Sequence, residues 1–174
     1  MLQNYNTYRI MQLFFDQPTK LFQLREISRM AKLGLPSAIN HVKKLEKDGF
    51  VKKEKKSVYE SYTANKESDK YKLYKKNDII LRLNDSGFIQ YLTDNTTPNA
   101  IILFGSASRG EDIETSDVDI FVLAKEEKLN LSGFEKYIKR KINVYFESNI
   151  RRMGREFLNN IVNGTKLYGY LKVF

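Results

Sequence analysis

Apolar positions recur at helical spacing from the start of the chain. Tyr8, Met11 and Phe14 or Phe15 mark one face of a helix over residues 6–16, which Gln17, Pro18 and Thr19 end. Leu24, Ile27 and Ala31 predict a second helix over residues 23–32. Leu33, Gly34, Leu35 and Pro36 then make a tight turn, and Pro36 suits a first helical turn. The third helix, residues 36–48, is expected to bury Ile39, Val42 and Leu45 and to stop at Gly49. After it the period changes to alternation. Residues 50–53 and 57–63 predict two strands, with Lys55 and Lys56 between them. A charged helix over residues 68–83 carries Tyr71, Tyr74, Ile80 and Leu81, and Ser86 with Gly87 separates it from a shorter one. Residues 95–99 read as a hinge, because the position before Pro98 avoids helix.

The remainder is patterned differently. Ala100–Phe104 is an apolar run of strand length, and a second strand closes the stretch from Ser116 to Val122. In that second strand Val118, Ile120 and Val122 face a core. Asp117 and Asp119, two residues apart, point to one face with Cα atoms roughly 6–7 Å apart. Ile142–Phe146 is a third strand, and Ile150, Met153, Phe157 and Ile161 predict a closing helix. The chain therefore reads as an α+β protein in three parts: residues 1–65, a helical connector over 66–95, and residues 96–174 with a small mixed sheet. Each larger part holds fewer than 100 residues of the 174, so each core is modest. The connector helices suit pairing of two copies into a homodimer and packing on their own chain equally well.

Composition narrows the partners. No apolar run approaches bilayer length, so no membrane role is expected. The start, MLQNYNTYRI, lacks the charged head and apolar core of a signal peptide, which predicts a cytoplasmic protein. With no cysteine and one histidine, thiolate and histidine-built metal sites are excluded. The net charge is +9, and residues 1–64 carry 12 Lys and Arg against 6 Asp and Glu. Two thirds of the excess thus lies in the first third of the chain, where a polyanion partner is expected.

The carboxylate pair sets the chemistry expected of the second half. Two carboxylates repel a triphosphate unless hard cations lie between, and Mg²⁺ is usually held by one or two carboxylates together with substrate phosphates. Gly105 allows close backbone approach, and Ser106 with neighbouring amides at a helix start is placed to grip terminal phosphates.

Two resemblances follow from these strings. LREISRMAKLGLPSAINHVKKLEKDGFVKK, closed by Tyr62, Thr63, Ala64 and Asn65, resembles a winged helix-turn-helix of small transcription regulators. It implies double-stranded DNA as a partner. Ser37, Asn40, His41 and Lys44 on the third helix would face a major groove, and Lys52, Lys53, Lys55 and Lys56 would meet backbone phosphates. FGSASRGEDIETSDVDIFV resembles the minimal branch of the polymerase-beta-like nucleotidyltransferase superfamily. This implies a nucleoside triphosphate such as ATP as substrate, Mg²⁺ on the catalytic acids Asp117 and Asp119, and phosphate contacts from Gly105, Ser106 and Arg109. One acceptor it brings with it is a protein hydroxyl, on a partner toxin in an antitoxin role.

One position departs from the second resemblance. Asn143 stands where the family usually places a third carboxylate, and an amide cannot serve as a base near neutral pH. Glu147 shares its strand face but lies roughly 13 Å further along an extended strand. Two functions are therefore expected to compete: Mg²⁺-dependent nucleotidyl transfer, and DNA-binding regulation in which the second half only binds nucleotide.

Overall fold

The structure is a computed structural model that describes residues 5–54 and 60–172. Two compact units emerge, Met1–Lys75 and Lys76–Phe174. The division falls inside a single helix, so the residues expected as a connector are shared between the units.

The first unit begins with α1 (Asn6–Asp16), which buries Ile10, Met11, Phe14 and Phe15. Both candidate phenylalanines are thus interior. A two-residue strand, β1 (Phe22–Gln23), precedes α2 (Leu24–Met30), where the sequence predicted helix from residue 23. Phe22 is drawn into the strand by its pairing with Tyr62. The helix α3 (Leu35–Lys47) has Pro36 in its first turn and buries Ala38, Val42 and Leu45. Ile39, expected in the core, is only half-buried, because the buried stripe runs through Ala38 instead.

Gly49 ends α3 as expected, with φ at +81°. Its N–H bonds Glu46 O, while Phe50 N–H bonds Leu45 O. That bond pair closes the helix as a Schellman turn, and Phe50 and Leu45 both lie in the core. The chain then enters β2 (Val51–Glu54) and returns in β3 (Ser61–Ala64), giving an antiparallel sheet in the order β1-β3-β2. Lys55 and Lys56 lie outside the described residues. The first turns of α4 (Asp69–Asp85) belong to this unit, where the Tyr71 hydroxyl donates to Phe14 O over 2.8 Å.

The rest of α4 and α5 (Phe88–Thr96) open the second unit, turning at Gly87 with φ at +77°. Its sheet contains β4 (Ala100–Phe104), β5 (Val118–Val122), β6 (Ile142–Phe146) and β7 (Thr165–Gly169) in the order β6-β5-β4-β7. Only β5 and β6 are parallel, so the sheet is mixed as expected. A parallel pair needs a crossover. It contains α6 (Ser132–Ile138), which the sequence reading left unassigned.

Both faces of this sheet are covered. Ile101, Leu103, Val118, Ile120 and Val122 share a core with Leu83, Phe88, Leu92 and Ile138. On the other face Ile102, Phe104 and Phe121 pack with Ile161 and Phe157 of α7 (Arg155–Val162). This helix is shorter than expected. Ile150–Arg152 forms a separate 3-10 turn capped by Asn149, and Met153 and Gly154 are extended. Glycine is a poor helix former and begins the new helix instead. Among the described residues, no helix is long and apolar enough to cross a membrane.

Candidate functional site

The carboxylates stand where β4, β5 and β6 meet at one end of the sheet. Phe104 pairs with Asp119 on one side, and Asp119 pairs with Asn143 on the other. Paired residues share a sheet face, so the Asp119 and Asn143 side chains emerge together. Asp117 lies just before β5 rather than within it. Its loop is fixed by Ser116, whose Oγ accepts from Ile113 N–H at 2.9 Å, and by Val118 N–H donating to Lys141 O at 2.8 Å.

Asn143 ties the two acids together. Its Nδ2 donates to Asp117 Oδ2 at 3.1 Å and to Asp119 Oδ1 at 3.2 Å. The two carboxylates therefore converge, as their spacing predicted. The register also places Asn143 directly opposite Asp119, at the position expected for a third acid. Glu147 does not substitute for it: its carboxylate accepts from Asn149 N–H at 2.9 Å, beyond the end of β6.

Gly105 completes the corner. Its φ is +70°, and a Cβ built there would stand 2.5 Å from Asp119 Oδ2. Only glycine satisfies both conditions without displacing the carboxylate. The backbone then switches to right-handed at Ser106, φ −65°, and a 3-10 turn follows over Ala107–Arg109. Such alternation of hand turns successive N–H groups toward a common concavity suited to anions. The helix start expected here is thus a single turn, held by Ser108 Oγ donating to Gly105 O at 2.7 Å. Arg109 sits at its exposed end, with Nε 2.7 Å from Glu111 Oε2.

The donor set fits a cation that arrives with phosphates. Among the described residues, no group of three or more His, Cys, Asp and Glu gathers to hold a metal by itself. Two hard carboxylate groups brought together by Asn143 match what Mg²⁺ requires when substrate phosphates supply the remaining ligands.

In the first unit the expected interface residues separate into groups. Asn40 and Lys44 are exposed on α3, and Ser37 is half-exposed. His41 is half-buried instead, with Nδ1 2.8 Å from Thr7 Oγ1 on α1. Lys43 and Lys47 are also exposed on α3. The sequence reading passed over both, although their spacing from Asn40 places them on its face. Lys52 is exposed on β2, and Lys53 is ion-paired with Glu60. The hydrogen bond to Glu60 raises the Lys53 pKa, and the same bond lowers that of Glu60.

Compared with curated proteins, the chain has no match. Residues 86–169 match the model of a family described as polymerase beta, nucleotidyltransferase. From the turn before α5 to the end of β7, the second unit is therefore similar to nucleotidyltransferases of the polymerase beta family.

Proposed function

We propose that this protein transfers a nucleoside monophosphate from a triphosphate to an acceptor hydroxyl, with Mg²⁺ held by Asp117 and Asp119. The observation that carries the reading is the pairing of those two acids through Asn143, one wall away from the Gly105 turn. Carboxylates this close are stable together only with positive or hydrogen-bonding charge between them. The Asn143 amino group supplies a partial version of that charge. Asp117 and Asp119 would hold Mg²⁺ together with the substrate phosphates, and the ion would supply the remaining positive charge against the phosphate tail and the leaving pyrophosphate.

The chain's own part is placement. Gly105 and Ser106 receive the terminal phosphates, and Arg109 stands at the rim of the same turn. The acceptor oxygen forms its bond to the α-phosphorus as the bond to the β-phosphate oxygen breaks. Pyrophosphate leaves with the electron pair. Because Asn143 cannot take the hydroxyl proton, the proton passes to solvent, and turnover is slow. To test this, the full chain is incubated with α-labelled ATP, Mg²⁺ and candidate acceptors, including protein partners. Label transfer that disappears in Asp117→Ala supports the reading. Equal signal in wild type and variant sinks it.

Asn143 favours a second reading as well, in which the second unit binds nucleotide and the first acts on DNA. The first unit combines a Pro36-initiated helix, a three-strand sheet and exposed Asn40, Lys43, Lys44 and Lys47. That arrangement supports a winged helix-turn-helix whose α3 enters a major groove. Duplex binding measured with and without ATP decides it. Sequence-selective affinity that responds to nucleotide favours the regulator; indifference to both sequence and nucleotide removes it.

A further inference from the structure

The four-stranded sheet of the second unit has two edges, and the sequence treats them differently. The β7 edge is blunted by exposed Lys166 and by a register shift opposite Ile101 and Ile102. Lysine and a bulge are devices that keep an edge from pairing. The β6 edge has neither. Ile142–Phe146 holds no lysine, proline or glycine, and its register with β5 is unbroken. The parallel ladder engages alternate residues: Lys141 O accepts from Val118 N–H, and Glu147 N–H donates to Val122 O. By that alternation the backbone groups of Asn143 and Tyr145 turn to β5, and those of Ile142, Val144 and Phe146 turn outward. Ile142 N–H is met there by Glu135 Oε1 at 3.1 Å.

We propose that this edge pairs antiparallel with β6 of a second copy of the chain, about a two-fold axis at Val144, and that the partner's Tyr145 completes the carboxylate site. An antiparallel ladder opposes residues whose N–H and C=O groups face each other. Centring on Val144 opposes it to its own counterpart and Ile142 to the partner's Phe146, which are the outward-turned positions. The side chains agree with that register. On one face valine meets valine, and Ile142 meets the partner's Phe146. On the other, exposed Lys141 stands opposite the partner's Glu147 at both ends, and Asn143 stands opposite the partner's Tyr145. A two-fold contact demands such a self-complementary patch. Centring on Ile142 or Phe146 instead would leave Lys141 and Glu147 without each other.

Tyr145 has surface to offer a partner. It is 42% exposed, although its ring meets Phe104 at 5.4 Å and Phe157 at 5.9 Å. Opposed side chains in an antiparallel pair lie about 4.5–5.5 Å apart at Cβ. The partner's Tyr145 thus comes to rest beside Asn143, whose Nδ2 binds both aspartates. Each carboxylate pair gains an aromatic wall from the other copy, and the two sheets run on as one. The pairing stands apart from the transfer reading; only the part of Tyr145 at the site rests on it.

Sedimentation of the full chain over a range of concentrations tests the pairing. A monomer–dimer equilibrium is expected, because a strand edge alone buries less than the roughly 1,000 Å² of a lasting interface. Val144→Pro should abolish the dimer and leave the chain folded, since the N–H it removes bonds nothing within the sheet. Lys141→Glu should weaken the dimer about threefold or more, and adding Glu147→Lys should restore it. The chain has no cysteine, so Val144→Cys gives one thiol per copy. Opposed Cα atoms about 5.5 Å apart suit a disulfide, and oxidation should cross-link Val144→Cys but not Lys166→Cys on the other edge. A chain that stays monomeric, a dimer that persists in Val144→Pro, or equal cross-linking at both edges overturns the pairing and leaves the transfer reading standing. For the site, Tyr145→Ala mixed with Asp117→Ala should regain transfer of label from ATP beyond either variant alone, because one hybrid site joins intact acids to the partner's tyrosine. No regain with the dimer intact strikes Tyr145 from the site. Absence of transfer in wild type overturns the transfer reading and the part of Tyr145 in it, while the cross-link still decides the pairing.

Discussion

Asn143 faces Asp119 across the parallel β5–β6 ladder and donates from Nδ2 to its Oδ1 over 3.2 Å. The same nitrogen reaches Asp117 Oδ2. Turned the other way, the amide oxygen would confront two carboxylates and be repelled. The side chain thus sits as a neutral stand-in for part of a cation's charge. For a cation to bind those acids, the amide would have to yield or turn its oxygen inward.

Replacing that amide with an acid tests the consequence. Asn143→Asp puts three carboxylates at one corner, which lowers stability without Mg²⁺ and strengthens binding with it. The expected outcome is a lower Tm in chelator than wild type, restored by Mg²⁺ with ATP. Label transfer should rise by about 10²-fold or more, within the 10²–10⁴ range that general base assistance contributes. Calorimetry and the labelling assay check the two effects separately.

Gly105→Ala acts from the opposite wall. The new methyl would collide with Asp119 Oδ2 in a left-handed backbone that alanine resists. The conformational penalty alone is roughly 1–2 kcal/mol. Because the clash falls on a carboxylate and not on core side chains, nucleotide affinity should fall further than stability does. ATP titration alongside a thermal melt measures both. Equal wild-type affinity would show that the Asp119 carboxylate moves aside freely.

Much of this corner was legible from sequence, and the reasons are local. The limits of α1, β4 and β6 follow directly from apolar runs and periods. The convergence of Asp117 and Asp119 was expected from a two-residue strand repeat, although Asp117 stands in the loop before β5, and Asn143 was placed by matching β6 to the third strand of the family it resembles. What escaped depended on tertiary pairing. β1 exists because Phe22 finds Tyr62, and nothing in a two-residue stretch announces a strand. The break before α7 came from Gly154, which a count of apolar positions ignores. His41 looked outward by spacing, but its partner Thr7 is 34 residues earlier.

The Lys53–Glu60 pair sets a charge available to a polyanion. Glu60 has its pKa lowered from 4.5, so the pair holds above that value and is lost as pH falls through the lowered pKa. Lys53 has its pKa raised from 10.5, so on the alkaline side the pair persists below that value and is lost as pH rises through the raised one. Glu60→Gln removes the competitor for Lys53 across the whole window. If the hairpin meets DNA phosphates, affinity should rise, and the slope of log K against log salt should steepen by about 0.9. An unchanged slope would mean that Lys53 does not touch the duplex.

His41 and Lys44 stand three residues apart on α3, and their environments assign them opposite behaviour. The His41 ring is half-buried and bonded to Thr7, so His41→Ala removes a link between α1 and α3. A net hydrogen bond of this kind contributes about 1 kcal/mol. The Tm should fall while duplex affinity stays within about twofold once measured on the folded fraction. Lys44 is exposed, and Lys44→Ala should leave the melt unchanged. Its loss should weaken binding similarly across sequences and flatten the salt slope by about one unit. Asn40→Ala belongs to a third class, relaxing selectivity at one base pair by about 1–3 kcal/mol if the amide reads a base edge. The three variants together separate a helix-packing residue, a phosphate contact and a base contact on one helix. A duplex affinity that depended on His41 more than on Lys44 would mean that a different edge of α3 faces the groove.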